Sequence, residues 1–218
     1  EQASAELERA RKRILGLIET LERQRIARER GAPSGEAPLL GDFGRNRGRL
    51  PWPANGKVAR GFGQQTNPRF GTTTFNSGID IASSFGTPIT AVSRGRVEYV
   101  NWLEGYGKCV ILNHGGAYYT LYAHASEITV PVGKEVAAGE TIGRVGDTGS
   151  TSGTVLHFEI RRGKEALNPS SGFGEPHLMP PKTVQHQEEA VAYLVASLRG
   201  GHVGHAYLFH GPAGVGKT

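Results

Sequence analysis

Apolar side chains in residues 1–30 follow a period that the rest of the chain does not share. They recur at alternating intervals of four and three, in a segment with one glycine and no proline. This period predicts an amphipathic helix, and the alternation is typical of a coiled-coil seam, here of its last turns. A lone amphipathic surface helix would have the same pattern, so both interpretations stay open. The seam consists of Ala3, Leu7, Ala10, Ile14, Leu17 and Leu21.

Between residues 51 and 171 the pattern changes to short apolar runs bounded by glycine-containing turns. Glycine supplies 32 of the 218 residues, about twice the usual share of roughly 7%. Tight turns between short strands account for such a content. The pattern predicts a mainly β domain, either a sandwich or a barrel. Its clearest predicted strands are 97–100, 109–112, 118–122 and 156–160.

Residues 31–50 connect these two parts and contain glycine, proline and serine without an apolar period. Such a composition predicts a linker. Its three arginines, Arg45, Arg47 and Arg49, lack the interleaved aromatic side chains of a nucleic-acid surface. We therefore interpret them as solvated and expect no nucleic-acid partner.

Composition adds three constraints. The formal net charge of +5 allows an anionic partner without selecting one. The single cysteine, Cys109, excludes an internal disulfide. Because the chain begins with Glu1 rather than methionine, we expect a segment of a longer reading frame, with any signal peptide outside it.

Few side chains in the predicted β domain could hold a metal: Asp80, His114, His124 and His157. A catalytic zinc site needs three nitrogen or oxygen ligands and an open position for water. These candidates lie in separate predicted strands that could converge on one sheet face. By spacing alone, buried histidines that only serve the structure are the simpler interpretation.

A series of short motifs in unbroken order across residues 51–171 resembles the LytM (lysostaphin-type) peptidase domain. That resemblance implies a β-sheet or half-barrel domain open on a groove, which in active members holds zinc and cuts peptidoglycan cross-links. The motifs occupy 78–82, 86–89, 95–97, 105–107, 110–115, 121–124, 136–140 and 156–161.

Position by position, the resemblance implies a damaged zinc site. Asp80 and His157 match two metal ligands, but Asn76 stands where the third ligand, a histidine, belongs. His124 matches one histidine that assists the attacking water, whereas Val155 replaces the other. An amide oxygen is a weak zinc ligand, and a valine can neither take up a proton nor stabilise an oxyanion. We therefore expect vestigial catalytic and metal positions and no resident cofactor.

Lost ligands, a preceding Glu/Arg-rich helix and a linker make the chain similar to the EnvC-type murein hydrolase activators. This resemblance implies a non-catalytic domain that binds and stimulates an N-acetylmuramoyl-L-alanine amidase at division, close to peptidoglycan. It also implies a periplasmic or envelope location, with the coiled coil linked to a membrane-embedded division complex. The alternative is an active zinc endopeptidase of the same family. Candidate contacts of a partner in the groove are Tyr122, Phe158 and Arg161.

Residues 172–218 form a predicted extension of different character. A helical period over 184–198 precedes a short apolar run and the phosphate-loop pattern G-x4-G-K-T at 211–218. The extension resembles the start of a delta-prime clamp-loader subunit of DNA polymerase III, an AAA+ protein. The helix that would follow the phosphate loop is absent, so we expect no nucleotide binding and no contribution to the β domain. The nucleotide positions of this incomplete loop are Gly211, Gly216, Lys217 and Thr218.

Overall fold

A computed structural model of the chain describes residues 2–31, 43–66 and 73–173. In these ranges one long helix, α1 (Gln2–Gly31), precedes a domain built almost entirely of strands. No helix in them is long and apolar enough to cross a bilayer. The strands are β1 (Lys57–Arg60), β2 (Gly63–Thr66), β3 (Thr73–Asn76), β4 (Ile79–Ala82), β5 (Pro88–Thr90), β6 (Gly95–Leu103), β7 (Gly107–Asn113), β8 (Tyr118–Ala123), β9 (Ala125–Ile128), β10 (Glu135–Val136), β11 (Thr141–Val145), β12 (Val155–Arg162) and β13 (Glu165–Leu167).

The main sheet runs in the order β1-β4-β12-β8-β7-β6-β10, and β13 pairs with β12. A second sheet has the order β5-β11-β9, and β2 and β3 form a separate hairpin. All pairings between these strands are antiparallel. The four predicted strands lie inside β6, β7, β8 and β12, and the predicted mainly β fold is confirmed.

Side chains alternate between the two faces of the main sheet, because successive residues of a strand point in opposite directions. In β12, Leu156, Phe158 and Ile160 enter the main hydrophobic core, together with Ile89 and Ile142 of the second sheet. This core also includes residues beyond the predicted domain limits of 51 and 171: Phe43, Leu50 and Phe173.

Helix α1 packs on the opposite face of the main sheet. Its buried side chains form a second apolar cluster with side chains of β7 and β8 and with Tyr106. The predicted helix is present, and its apolar stripe contacts the sheet of its own chain. The side chains of Ala3 and Leu7 lie outside the described residues. The cluster consists of Ala10, Ile14, Ile18 and Leu21 of α1 with Tyr106, Cys109, Ile111, Tyr119, Leu121 and Ala123.

Polar contacts fix the position of α1 along this face. The Tyr119 hydroxyl donates a hydrogen bond of 2.6 Å to a Glu22 carboxylate oxygen. Ion pairs at separate points join Arg28 to Glu98 at 2.7 Å and Glu19 to Lys164 at 3.1 Å. The Glu19–Lys164 pair is exposed on both sides, and such pairs contribute roughly 0–1 kcal/mol. In the other pair only Arg28 is exposed, because the Glu98 side chain is nearly buried.

His114 serves the core of the domain and not a metal site. Its ring stacks on Phe43 with centroids 4.6 Å apart. Nδ1 lies 2.7 Å from the Arg94 carbonyl oxygen, to which it donates, and Nε2 lies 2.7 Å from the Thr120 hydroxyl. Burial lowers the pKa of His114 to about 4, against the Arg94 hydrogen bond, which raises it.

The domain should lose stability in mild acid because of this histidine. The unfolded chain takes up a proton near pH 6.5, whereas folded His114 resists it down to about pH 4. The contribution of His114 to the free energy of unfolding is therefore complete above pH 6.5. Below that pH it decreases, by up to about 1.4 kcal/mol per pH unit. Urea denaturation of wild type and His114→Gln at pH 7 and pH 5 measures this difference. A wild-type loss no larger than that of His114→Gln would contradict it.

Candidate functional site

Four polar side chains lie side by side on the face of the main sheet that α1 covers. His157, Glu159 and Arg161 alternate along β12, opposite the core residues of that strand. Asp80 of β4 is the direct cross-strand partner of His157. All four are buried, with at most 6% of their surface exposed. Buried charges are stable only when they are paired, so their contacts define the site.

These four side chains form a continuous ionic network. His157 Nδ1 lies 2.6 Å from Asp80 Oδ1, and its Nε2 lies 3.1 Å from Glu159 Oε1. Arg161 donates from Nη1 to Glu159 Oε2 at 2.6 Å and from Nη2 to the Lys164 carbonyl at 2.7 Å. Both nitrogens of His157 therefore face a carboxylate, the arrangement of a doubly protonated imidazolium.

The pKa values follow from this pairing. Burial lowers the pKa of His157, but hydrogen bonds to Asp80 and Glu159 outweigh it and raise that pKa to about 9. Burial raises the pKa of Glu159, but the His157 hydrogen bond and the charges of His157 and Arg161 bring it down to about 2. Asp80 likewise has a lowered pKa, because the bond to His157 overcomes its desolvation. The network is an ion-pair cluster at neutral pH.

Two further residues complete the network from distant parts of the chain. The Tyr106 hydroxyl donates to Glu159 Oε1 at 3.0 Å. Arg60 Nε lies 2.8 Å from Asp80 Oδ2, but its N–H is not aligned for a hydrogen bond, so the contact is an ion pair. Sequence reasoning missed Arg60, Tyr106 and Glu159. Of these three, only Glu159 could have been found from the sequence, because the two-residue period of a strand places it on the same face as His157.

His124 retains an arrangement suited to a neutral imidazole. Nδ1 donates to the Thr148 carbonyl at 2.8 Å, and the ring centroid lies 6.1 Å from that of His157. Its backbone φ of 63° is unusual for a residue other than glycine and costs conformational energy. Burial and the neighbouring His157 charge lower the pKa of His124 to about 4. Nε2 therefore keeps its lone pair, with no ligand set around it among the described residues.

Asn76 and Val155 hold the two positions where the resemblance expects histidines. Asn76 donates from Nδ2 to the Gly61 carbonyl at 2.9 Å and so ties the β2–β3 hairpin to the turn after β1. Val155 is 3% exposed at the start of β12. A cleft of about 500 Å³ opens beside it, and its lining also includes Arg60, Asp80 and Thr74.

These residues do not fit a zinc ion. The described part of the chain contains no group of three or more His, Cys, Asp or Glu side chains placed to hold a metal. Zinc ligands must present lone pairs to one common point. Here the Asp80 lone pairs face His157 and Arg60, and His157, with a proton on both nitrogens, has no lone pair to offer.

The structure corrects two of the three predicted partner contacts. Tyr122 and Phe158 are fully buried in the main core, with ring centroids 5.1 Å apart. They face away from the polar network, because each alternates in its strand with a residue of the other face. Arg161 lies on the network face but is only 2% exposed. The predicted nucleotide positions Gly211, Gly216, Lys217 and Thr218 lie outside the described residues.

The fold and the site define a class: a β-sheet domain with a cleft beside a buried ion-pair network. Residues 74–169 match the model of Peptidase family M23. This part of the chain is therefore similar to the M23 (LytM-type) domain. A mutant catalytic domain of the prophage-encoded M23 protein EnpA from Enterococcus faecalis superposes with a TM-score of 0.51 and 28% identity. The match covers 56% of this chain and 95% of that one.

Several curated relatives carry the name murein hydrolase activator. EnvC of Escherichia coli K12 is 36% identical over 134 residues, which are 62% of this chain and 31% of EnvC. NlpD of Salmonella dublin is 44% identical over 119 residues, which are 54% of this chain and 29% of NlpD. The chain thus spans about a third of the length of these relatives.

Proposed function

We propose that this chain is a non-catalytic murein hydrolase activator that binds a peptidoglycan amidase and stimulates it during cell division. The observation that carries this proposal is the ion-pair network at Asp80 and His157, where the fold family would hold zinc. The cleft beside Asp80 is present, but Asn76 and Val155 stand where the family has histidines for hydrolysis. A cleft without those histidines is suited to binding. The names of the relatives, EnvC and NlpD, support the same role. No observation favours the alternative of an active endopeptidase.

The docking surface of the amidase is, in this proposal, the sheet face that α1 covers. Its apolar part includes Ile111, Tyr119 and Leu121, and its polar edge is the network of β12. That α1 packs there supports a surface suited to an amphipathic helix, a common mode of recognition. The partner segment would be a helix of the amidase that takes the place of α1.

The location and the second partner follow from the same assignment. Curated relatives named as lipoproteins support a position in the cell envelope, on the periplasmic side. The amino-terminal helix would then connect the domain to a membrane-embedded division complex. Zinc has no part in this proposal.

The test is the release of soluble fragments from dye-labelled murein by a purified N-acetylmuramoyl-L-alanine amidase. We expect the chain alone to release none and the amidase to release more with the chain than without it. A variant with Leu121→Glu, which places a charge in the proposed docking surface, should stimulate less. Its control is Thr141→Glu, at an exposed position of the second sheet. Digestion by the chain alone that a chelator abolishes would contradict the proposal.

A further inference from the structure

Arg60 occupies a position that brings a permanent positive charge to the former metal ligand. Strand β1 lies at the edge of the main sheet, and its register places Arg60 directly across from Asp80 after a bulge. Arg60 Nε approaches Asp80 Oδ2 to 2.8 Å. The Asp80 side chain is 4% exposed, whereas that of Arg60 is 42% exposed and reaches the cleft.

With Arg60 in place, every ligand atom of the two remaining metal positions is engaged. Asp80 Oδ1 contacts His157 and Asp80 Oδ2 contacts Arg60. His157 Nδ1 contacts Asp80, and its Nε2 contacts Glu159. A metal would have to displace one of these contacts for each ligand atom that it gained.

The charge balance of the network also opposes a cation. Asp80 and Glu159 supply two negative charges, while Arg60, His157 and Arg161 supply three positive ones. A divalent ion added to this cluster would meet net positive charge in a largely buried site, where screening by water is weak. Only Arg60 among the three cations is substantially exposed, so its removal disturbs the fold least.

We propose that Arg60 takes the place of the metal at this site, by pairing with Asp80 and keeping a divalent cation out. The loss of zinc then has two causes, the missing ligand at Asn76 and the added cation at Arg60. Restoring the ligand alone should leave zinc affinity low. This inference goes beyond the activator role, because it concerns zinc alone and is measured without any amidase.

The experiment measures zinc affinity of the full chain, by competition with a chromophoric chelator near pH 8. The variants are Asn76→His, Arg60→Gln and the double substitution, with Arg60→Met as a second charge-removing change. The matched control combines Asn76→His with Arg94→Gln, since Arg94 is a remote, exposed arginine paired to Glu135. Zinc bound elsewhere in the chain would be equal in all variants. Thermal unfolding of each variant confirms that it is folded.

We expect the double variant to bind zinc at least about tenfold more tightly than Asn76→His, since groups that contact metal ligands change affinity by about 10–100-fold. The control with Arg94→Gln should match Asn76→His. Cobalt(II) should give tetrahedral absorption only in the double variant. The proposal is overturned by a gain below tenfold with both Arg60→Gln and Arg60→Met, whether Asn76→His already binds tightly or no variant does.

Discussion

Replacing Glu159 with alanine should destabilise the domain by about 3–5 kcal/mol, the usual cost of removing one partner from a buried ion pair. Glu159 is fully buried and holds three groups at once: His157, Arg161 and Tyr106. Without it, the Arg161 guanidinium remains buried with one backbone acceptor, the Lys164 carbonyl. Urea denaturation at pH 7 measures the loss. It would be a large part of the typical total of about 5–15 kcal/mol.

Two variants make this prediction specific to the buried pair. Glu135→Ala removes an equivalent but exposed partner of Arg94 and should cost about 0–1 kcal/mol. The double variant Glu159→Ala/Arg161→Met removes both charges and should recover part of the stability, because no unpaired guanidinium then remains. Equal effects of Glu159→Ala and Glu135→Ala would show that the network contributes no more than a surface ion pair.

Substituting Ile14 and Ile18 of α1 by aspartate should release the helix from the sheet and expose Cys109. Both isoleucines are fully buried against the cluster that contains this cysteine. Losing a buried isoleucine side chain costs about 2–5 kcal/mol, and each 1.4 kcal/mol of lost docking energy raises the open fraction about tenfold. We therefore expect thiol labelling to accelerate by about 100-fold or more.

Cys109 is a single-site probe because it is the only cysteine in the chain. In the packed state it is fully buried, and burial raises the pKa of its thiol to about 12. Release of α1 returns the thiol to water, where its ordinary pKa is about 8.5 and thiolate forms readily. The matched control is Ile26→Asp, the same change at an exposed position of the same helix. Labelling of the double variant at the control rate would contradict the packing of α1 on this face.

The same variant connects packing to the proposed function. If an amidase helix takes the place of α1, releasing α1 should increase stimulation of the amidase at a given concentration. An increase in Cys109 labelling without any increase in stimulation would place the docking surface elsewhere on the domain. The two measurements thus separate the fold of α1 from its role.

Local patterns predicted the helix and four of the thirteen strands of the described residues. The three- and four-residue period of residues 1–30 identified α1, and short apolar runs between glycine turns identified β6, β7, β8 and β12. These predictions succeed because helices and strands depend on side-chain periods within a few neighbouring residues. The match to the M23 domain was also evident, since motif residues can be matched one by one along a sequence. That Asn76 stands in place of a metal ligand stays a prediction.

The two-residue period of strands also predicts on which face of β12 each side chain lies. It places Phe158 on the opposite face from His157, and therefore in the core and not in the groove. The same period places Glu159 beside His157. Both facts follow from the sequence of β12 alone once His157 is assigned to the groove.

Tertiary structure alone decided which charges meet at Asp80 and which element covers this face of the main sheet. Arg60, Tyr106 and Glu159 meet in one network although they belong to separate parts of the chain. Their meeting depends on the order and register of strands, including a bulge in β1, which no local pattern encodes. The apolar seam of α1 is likewise compatible, by its sequence pattern, with packing on a partner helix or on a sheet. Its packing on Cys109, Ile111 and Leu121 is decided by the apolar face that the assembled sheet presents.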